Sequence, residues 1–136
     1  ALSGAKDAPV DVGVPNKVIY SPHRYGPGLR DDIKETDDKS WDKHFGYLAD
    51  TGHCLMMGEW GLGNKHDDYA FNKKLATYMQ KKGISGFYWT FSYSSGDTVN
   101  ILKKGSTDTK LLINEKSYEL MDIAVNKNAS KFTFPS

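Results

Sequence analysis

Four side chains stand where this chain could do chemistry. The apolar run Cys54-Leu55-Met56-Met57 leads through Gly58 into Glu59. A carboxylate held on so rigid a support acts as nucleophile or as general acid or base, according to its pKa. The same pattern also fits a strand-end glutamate in a surface salt bridge. His23 and Tyr25 lie two residues apart, so an extended backbone turns both to one side. From there a tyrosine hydroxyl could donate to a carboxylate and keep it ionised. A turn histidine and a packed tyrosine would read the same way. Trp89 closes the aromatic run Phe87-Tyr88-Trp89. A flat indole suits the axial C–H face of a β-glucosyl ring, although core filling uses such rings equally well, above all for Phe87 and Tyr88.

Composition removes several classes. Eighteen Lys and Arg against seventeen Asp and Glu leave a net charge of +1, too little to hold nucleic acid non-specifically. Cys54 is the single cysteine, which rules out an intrachain disulfide and a Cys₂His₂ or Cys₄ zinc site. His23, His44, His53 and His66 share no helical face, so no metal is expected; no organic cofactor is expected either. No apolar run reaches the roughly 18 residues of a membrane span, so no membrane partner is expected either. The start, Ala-Leu-Ser-Gly-Ala-Lys, lacks the apolar core of a secretion signal. Any such signal is expected to have been removed or to lie outside this chain.

The elements that must position these groups read as follows. Lys17–Ser21 is a β-prone run stopped by Pro22. Gly26, Pro27 and Gly28 open a long polar connection to Asp38. Ser40 is expected to cap a helix with Trp41, His44, Phe45, Leu48 and Ala49 on one face, closed by Gly52. Cys54–Met57 is continuously apolar, as in a strand covered on both faces of a parallel sheet. A helix from Asp67 to Lys82 follows, with Gly83 as its C-cap, and then a strand over Ile84–Phe91. A weaker helix is expected near 115–124 and a short terminal strand over 131–135. Asn128-Ala129-Ser130 matches a glycosylation sequon, a triplet that also arises by chance.

Strand, helix, strand, helix, strand marks parallel β/α units, in either an open doubly wound sheet or a slice of a barrel. No strand is followed by a G-x-G-x-x-G phosphate loop. The candidate residues are expected just beyond strand ends, the end of the sheet where barrels carry their sites. Both points favour the slice: three parallel strands with helices on one face. A complete (β/α)₈ barrel needs about 250 residues, and this chain has 136.

The ordered set Asn16–Pro27, Met57-Gly58-Glu59-Trp60-Gly61, Gly86-Phe87-Tyr88-Trp89 and Ser95-Gly96-Asp97-Thr98 resembles glycoside hydrolase family five, particularly its endo-β-1,4-glucanases. The resemblance implies an α/β fold over 1–136. It would be the C-terminal portion of a (β/α)₈ TIM barrel, about strands six to eight, completed by strands outside this chain. It implies a retaining hydrolase of cellulose or mixed-linkage β-glucan, acting outside the cell. Glu59 would be the nucleophile, Tyr25 and His23 its catalytic neighbours, and Trp89 and Trp60 contacts to the glucan. Its partners would be a β-glucan polysaccharide or oligosaccharide and the N-terminal part of the same barrel. The family's acid/base glutamate lies in an Asn-Glu-Pro motif that this chain lacks, since Asn114-Glu115 is followed by Lys116. That residue is expected outside the chain. Trp60 replaces a phenylalanine common among relatives. The same residues would serve a mannanase or xyloglucanase, and a non-catalytic carbohydrate-binding or structural fragment is the alternative from another class.

Overall fold

The computed structural model describes residues 2–125. The expected strand at 131–135 and the sequon at 128–130 lie outside the described residues. The elements are β1 (Ile19–Tyr20), β2 (His23–Tyr25), α1 (Asp38–Trp41), a π-helical stretch (Asp42–Gly46), α2 (Tyr47–Asp50), β3 (Cys54–Gly61), α3 (Tyr69–Lys82), β4 (Ser85–Tyr88) and α4 (Glu115–Ala124). A short 3₁₀ turn covers Ser3–Lys6.

β3 is the middle of the sheet. It pairs in parallel with β1 and β2 on one side and with β4 on the other. The β-prone run expected at 17–21 is therefore the short strand Ile19–Tyr20, and a second short piece follows it beyond Pro22. Pro22 has no N–H to give a ladder, but its carbonyl accepts from the Gly58 N–H at 2.8 Å, and the chain resumes as β2. His23 and Tyr25 are strand residues rather than the loop after a strand.

One helix surface runs through α1, the π-helical stretch and α2, and its buried side chains are Trp41, Phe45 and Leu48. Its cap is Asp37, not Ser40. The Asp37 carboxylate accepts from the Ser40 N–H at 2.8 Å, and the Ser40 hydroxyl accepts from the Asp37 N–H at 3.2 Å. This is a reciprocal capping box that places Ser40 at the third helical position. In α3, Phe71, Leu75, Tyr78 and Met79 bury one face at 3–4 spacing. Gly83 ends the helix at φ +66°, with Ile84 N–H returning to the Met79 carbonyl at 2.9 Å. Trp41 meets Phe71 and Tyr78 edge-on, with ring centroids 5.6 and 5.2 Å apart.

Tyr20, Leu55, Met57 and Trp60 from the strands share one core cluster with Trp41, Phe45, Leu75, Tyr78 and Leu120 from the helices. The helices therefore cover a single face of the sheet, as the barrel-slice reading expects. The opposite face leaves Ile19 and Phe87 more than half exposed. The continuous apolar run of β3 splits between these environments: Leu55 and Met57 are buried, Met56 is half-buried and Cys54 is exposed. Among the described residues no helix is long and apolar enough to cross a membrane.

Candidate active site

An extra residue in β3 makes the site. From Met57↔Gly86 to Trp60↔Tyr88, β3 advances three residues while β4 advances two. Against the other neighbour, β3 advances four from Leu55 to Glu59 while the chain opposite advances three, from Tyr20 to His23. Strict alternation would send Glu59 to the helix side with Leu55 and Met57. The bulge gives that side to Trp60 and leaves Glu59 on the open face. Glu59 thus lies inside a strand that runs on to Gly61, rather than beyond its end.

His23 is aligned with Glu59 across the β2–β3 ladder. Tyr25, two residues on, points the same way. The Tyr25 hydroxyl donates to Glu59 Oε2 at 3.1 Å, and His23 Nδ1 lies 3.5 Å from the same oxygen. Both neighbours thus converge on Oε2, and among the described residues Oε1 accepts no side-chain hydrogen bond. The Glu59 side chain is 30% exposed, open to a ligand yet backed by strand. Burial, then the hydrogen bond to Glu59 and the charges of Glu59 and Asp97, push the Tyr25 phenol well above its ordinary range. Its proton therefore stays in place as a donor at any working pH.

Arg24, between them, points to the helix side. Its Nη1 meets Glu35 Oε2 at 3.3 Å, and its guanidinium lies over the Phe45 ring. This pair fixes β2 from behind. Gly58 carries no side chain for a reason: a Cβ there would meet the Ser21 hydroxyl and His23 Nε2. The bare backbone is what lets the imidazole lie against β3.

Trp89 follows β4 and is anchored by its N–H to the Trp60 carbonyl at 2.8 Å. Its side chain is exposed, and the Trp89–Thr90 peptide bond is cis. Gly61, at φ +152°, sits under this turn, where a Cβ would press on the Trp89 carbonyl at 2.9 Å. Trp60 does not join the site. It is 2% exposed and packs edge-on to Tyr88 at 5.2 Å. The bulge that frees Glu59 turns the next residue into the core, so the expected sugar contact by Trp60 is withdrawn.

Sequence reasoning passed over Asp68. It is 3% exposed, and its Oδ2 accepts from the Gly28 N–H at 3.1 Å and the Gly63 N–H at 3.4 Å. The cluster Gly26, Gly28, Gly61, Gly63 was the available signal: glycines at both strand exits announce close backbone approach. Burial pushes the Asp68 carboxyl above its ordinary value of 3.8, although both backbone bonds pull the other way. The folded state therefore binds this proton more tightly than the unfolded chain does. The stability it contributes is complete below the ordinary carboxylate range and is lost as pH rises through the shifted value. Asp68→Asn keeps an acceptor for both N–H groups without the buried charge. Its melting temperature relative to the parent is expected to climb between about pH 4 and pH 7. Thermal unfolding across that range checks this, and a constant difference would refute it.

Three comparisons with known proteins bear on this geometry. A family model for cellulase, glycosyl hydrolase family 5, matches residues 1–95. The major extracellular endoglucanase of Xanthomonas campestris pv. campestris is 34% identical over 107 residues, covering 70% of this chain and 22% of that protein. An endoglucanase of Paenibacillus polymyxa is 31% identical over 112 residues, covering 74% of this chain and 28% of that protein. Among solved structures, a cellulase–inhibitor complex superposes with a TM-score of 0.74 at 30% identity, covering 91% of this chain and 36% of the other. A variant of the endocellulase from Pyrococcus horikoshii, in complex with cellotetraose, gives a TM-score of 0.72 at 30% identity with the same coverage. The chain thus spans about a quarter of the curated relatives and just over a third of the solved chains.

Proposed function

The chain belongs to the cellulase family, glycosyl hydrolase family 5, and its fold is part of a (β/α)₈ barrel; from that premise we propose that it forms the C-terminal part of a retaining endo-β-1,4-glucanase acting outside the cell on cellulose or mixed-linkage β-glucan. The observation that carries this reading is the convergence of Tyr25 and His23 on one oxygen of Glu59. A carboxylate held by Oε2 presents Oε1 in a fixed direction, as a nucleophile attacking an anomeric carbon needs. The edges of the sheet pair with the remaining strands of the barrel, and its open face lines the barrel interior. Those strands bring a glutamate whose carboxyl stands about 5 to 5.5 Å from that of Glu59. That group protonates the leaving oxygen and then activates water. Glu59 forms the glycosyl-enzyme between these steps, Tyr25 orients its carboxylate through the 3.1 Å hydrogen bond, and His23 meets a sugar hydroxyl.

Trp89 stacks on the ring beside the scissile bond. Trp89→Ala is expected to lower kcat/KM by roughly ten-fold, the scale of one lost aromatic contact of about 1.4 kcal/mol. Kinetics on soluble cello-oligosaccharides measure it, and an unchanged kcat/KM would remove Trp89 from the site.

The reaction is tested with this chain assembled with the rest of its barrel. Hydrolysis of a β-glucan oligosaccharide followed by NMR should release the β-anomer first. A 2-deoxy-2-fluoro glycoside should leave its label on Glu59. Release of the α-anomer, or a label elsewhere, contradicts the mechanism. Sugar binding with no hydrolysis favours the non-catalytic fragment.

A further inference from the structure

The open question in this site is what sets the distance between the strand that carries Tyr25 and the strand that carries Glu59. At 3.1 Å their hydrogen bond tolerates little sliding. Both strands end in glycine-rich turns, Gly26-Pro27-Gly28 after β2 and Gly61-Leu62-Gly63 from the last residue of β3. These turns touch backbone to backbone. A Cβ on Gly63 would overlap the Gly28 carbonyl group, and the Lys65 N–H donates to the Gly28 oxygen at 2.9 Å. A Cβ on Gly26 would strike the Phe71 ring, and one on Gly28 the Asp68 carboxyl group at 2.5 Å. Asp68 reaches into the seam from the residue before α3 and takes one N–H from each turn on a single oxygen.

We propose that Asp68 is a positioning residue of this active site: its carboxyl group clamps the turns after β2 and β3 and thereby holds the Tyr25 hydroxyl on Glu59. This rests on the reading of Glu59 as nucleophile. Three features make the clamp more than packing. Its Oδ2 takes an N–H from both turns, so one side chain fixes their separation. Its other oxygen, Oδ1, is buried with no partner, so the group is there for Oδ2. A buried carboxyl with only these two backbone donors is costly, and the raised proton affinity of Asp68 records that cost. No charged side chain of the described residues pairs with it, so it is not one half of a salt bridge.

The test uses the assembled barrel and the variants Asp68→Asn and Asp68→Ala, each alone and combined with Tyr25→Phe. Rates are normalised to active sites titrated with a 2-deoxy-2-fluoro glycoside. Asp68→Asn should keep kcat within about two-fold, since a carbonyl oxygen still reaches both turns. Asp68→Ala should lower kcat roughly ten-fold with KM within about two-fold, the signature of misplaced catalytic groups. With Tyr25→Phe already present, Asp68→Ala should cost no more than about two-fold further, because both changes remove the same contact. If Asp68→Ala does not fold, Asp68→Ser, too short to bridge the turns, carries the same comparison. An unchanged kcat per titrated site makes Asp68 a stabiliser only and overturns the proposal. Full additivity with Tyr25→Phe, or an Asn variant as slow as Ala, overturns it as well. Failure of the nucleophile reading shows separately, as a label that is not on Glu59.

Discussion

Glu59→Gln in the assembled enzyme is expected to lose activity by several powers of ten while its melting temperature hardly moves. The amide matches the carboxylate in size, and its oxygen still accepts from Tyr25, so the ladder pairing of His23 with residue 59 survives. What disappears is the negative charge that must attack the anomeric carbon. Closing that route removes transition-state stabilisation and leaves ground-state contacts in place, so KM should stay near the parent value. The stability change is bounded by the loss of one part-exposed interaction with an imidazole 54% exposed, about 1 kcal/mol at most. A surface salt-bridge role for Glu59 predicts the reverse pattern, with chemistry intact. Steady-state kinetics beside a thermal melt separate the two. Near-normal hydrolysis by this variant would end the nucleophile assignment.

The elements were legible where local periodicity and burial agree. The face Phe71, Leu75, Tyr78, Met79 is readable because a helix covering one side of a sheet must repeat at 3–4 spacing, and the structure places α3 over Tyr69–Lys82. α4, over Glu115–Ala124, stands where the weaker helix near 115–124 is expected, and its Asn114 cap is a finding of the structure. What stayed hidden depends on neighbours distant in sequence. Periodicity cannot show a bulge, because the extra residue is defined only against β2 and β4. Without the bulge Trp60 reads as a neighbour of the Glu59 carboxylate at the site, when it is a core residue. The cap falls on Asp37 rather than on the expected Ser40 because Asp37, Asp38 and Ser40 are all good caps, and local sequence alone does not choose among them. Asp68 read as a residue near the start of a helix. Its function emerges only when Gly28 and Gly63, far apart in the chain, meet in front of it.

The glycines sort the fold from the chemistry, and Gly63→Ala against Gly58→Ala makes that measurable. At Gly63 the added methyl would overlap the backbone of Gly28. No rotamer change relieves a backbone clash, so the turns after β2 and β3 must separate. The seam that the Lys65 N–H and Asp68 close at 2.9 to 3.4 Å must open with them. A loss of about 3 kcal/mol is expected, the upper end of ordinary overpacking. Activity should fall with it, because Tyr25 and Glu59 ride on the strands that move apart. At Gly58 the methyl meets the Ser21 hydroxyl and the edge of the His23 ring, with Nε2 at 2.8 Å. Both are the ends of side chains that turn aside. The strand itself should hold, at about 1 kcal/mol or less, since an alanine removes the backbone freedom that glycine brings to the unfolded chain. The imidazole, however, leaves its place 3.5 Å from Glu59, and turnover should drop by roughly ten-fold. Melting temperatures and titrated kcat values for the two variants decide the matter. Gly63→Ala should be the unstable one, and Gly58→Ala the stable but slow one. A Gly63→Ala protein that melts with the parent would mean the two turns are not seamed through their backbones. A Gly58→Ala enzyme at full speed would mean that the position of His23 beside Glu59 does not matter to turnover.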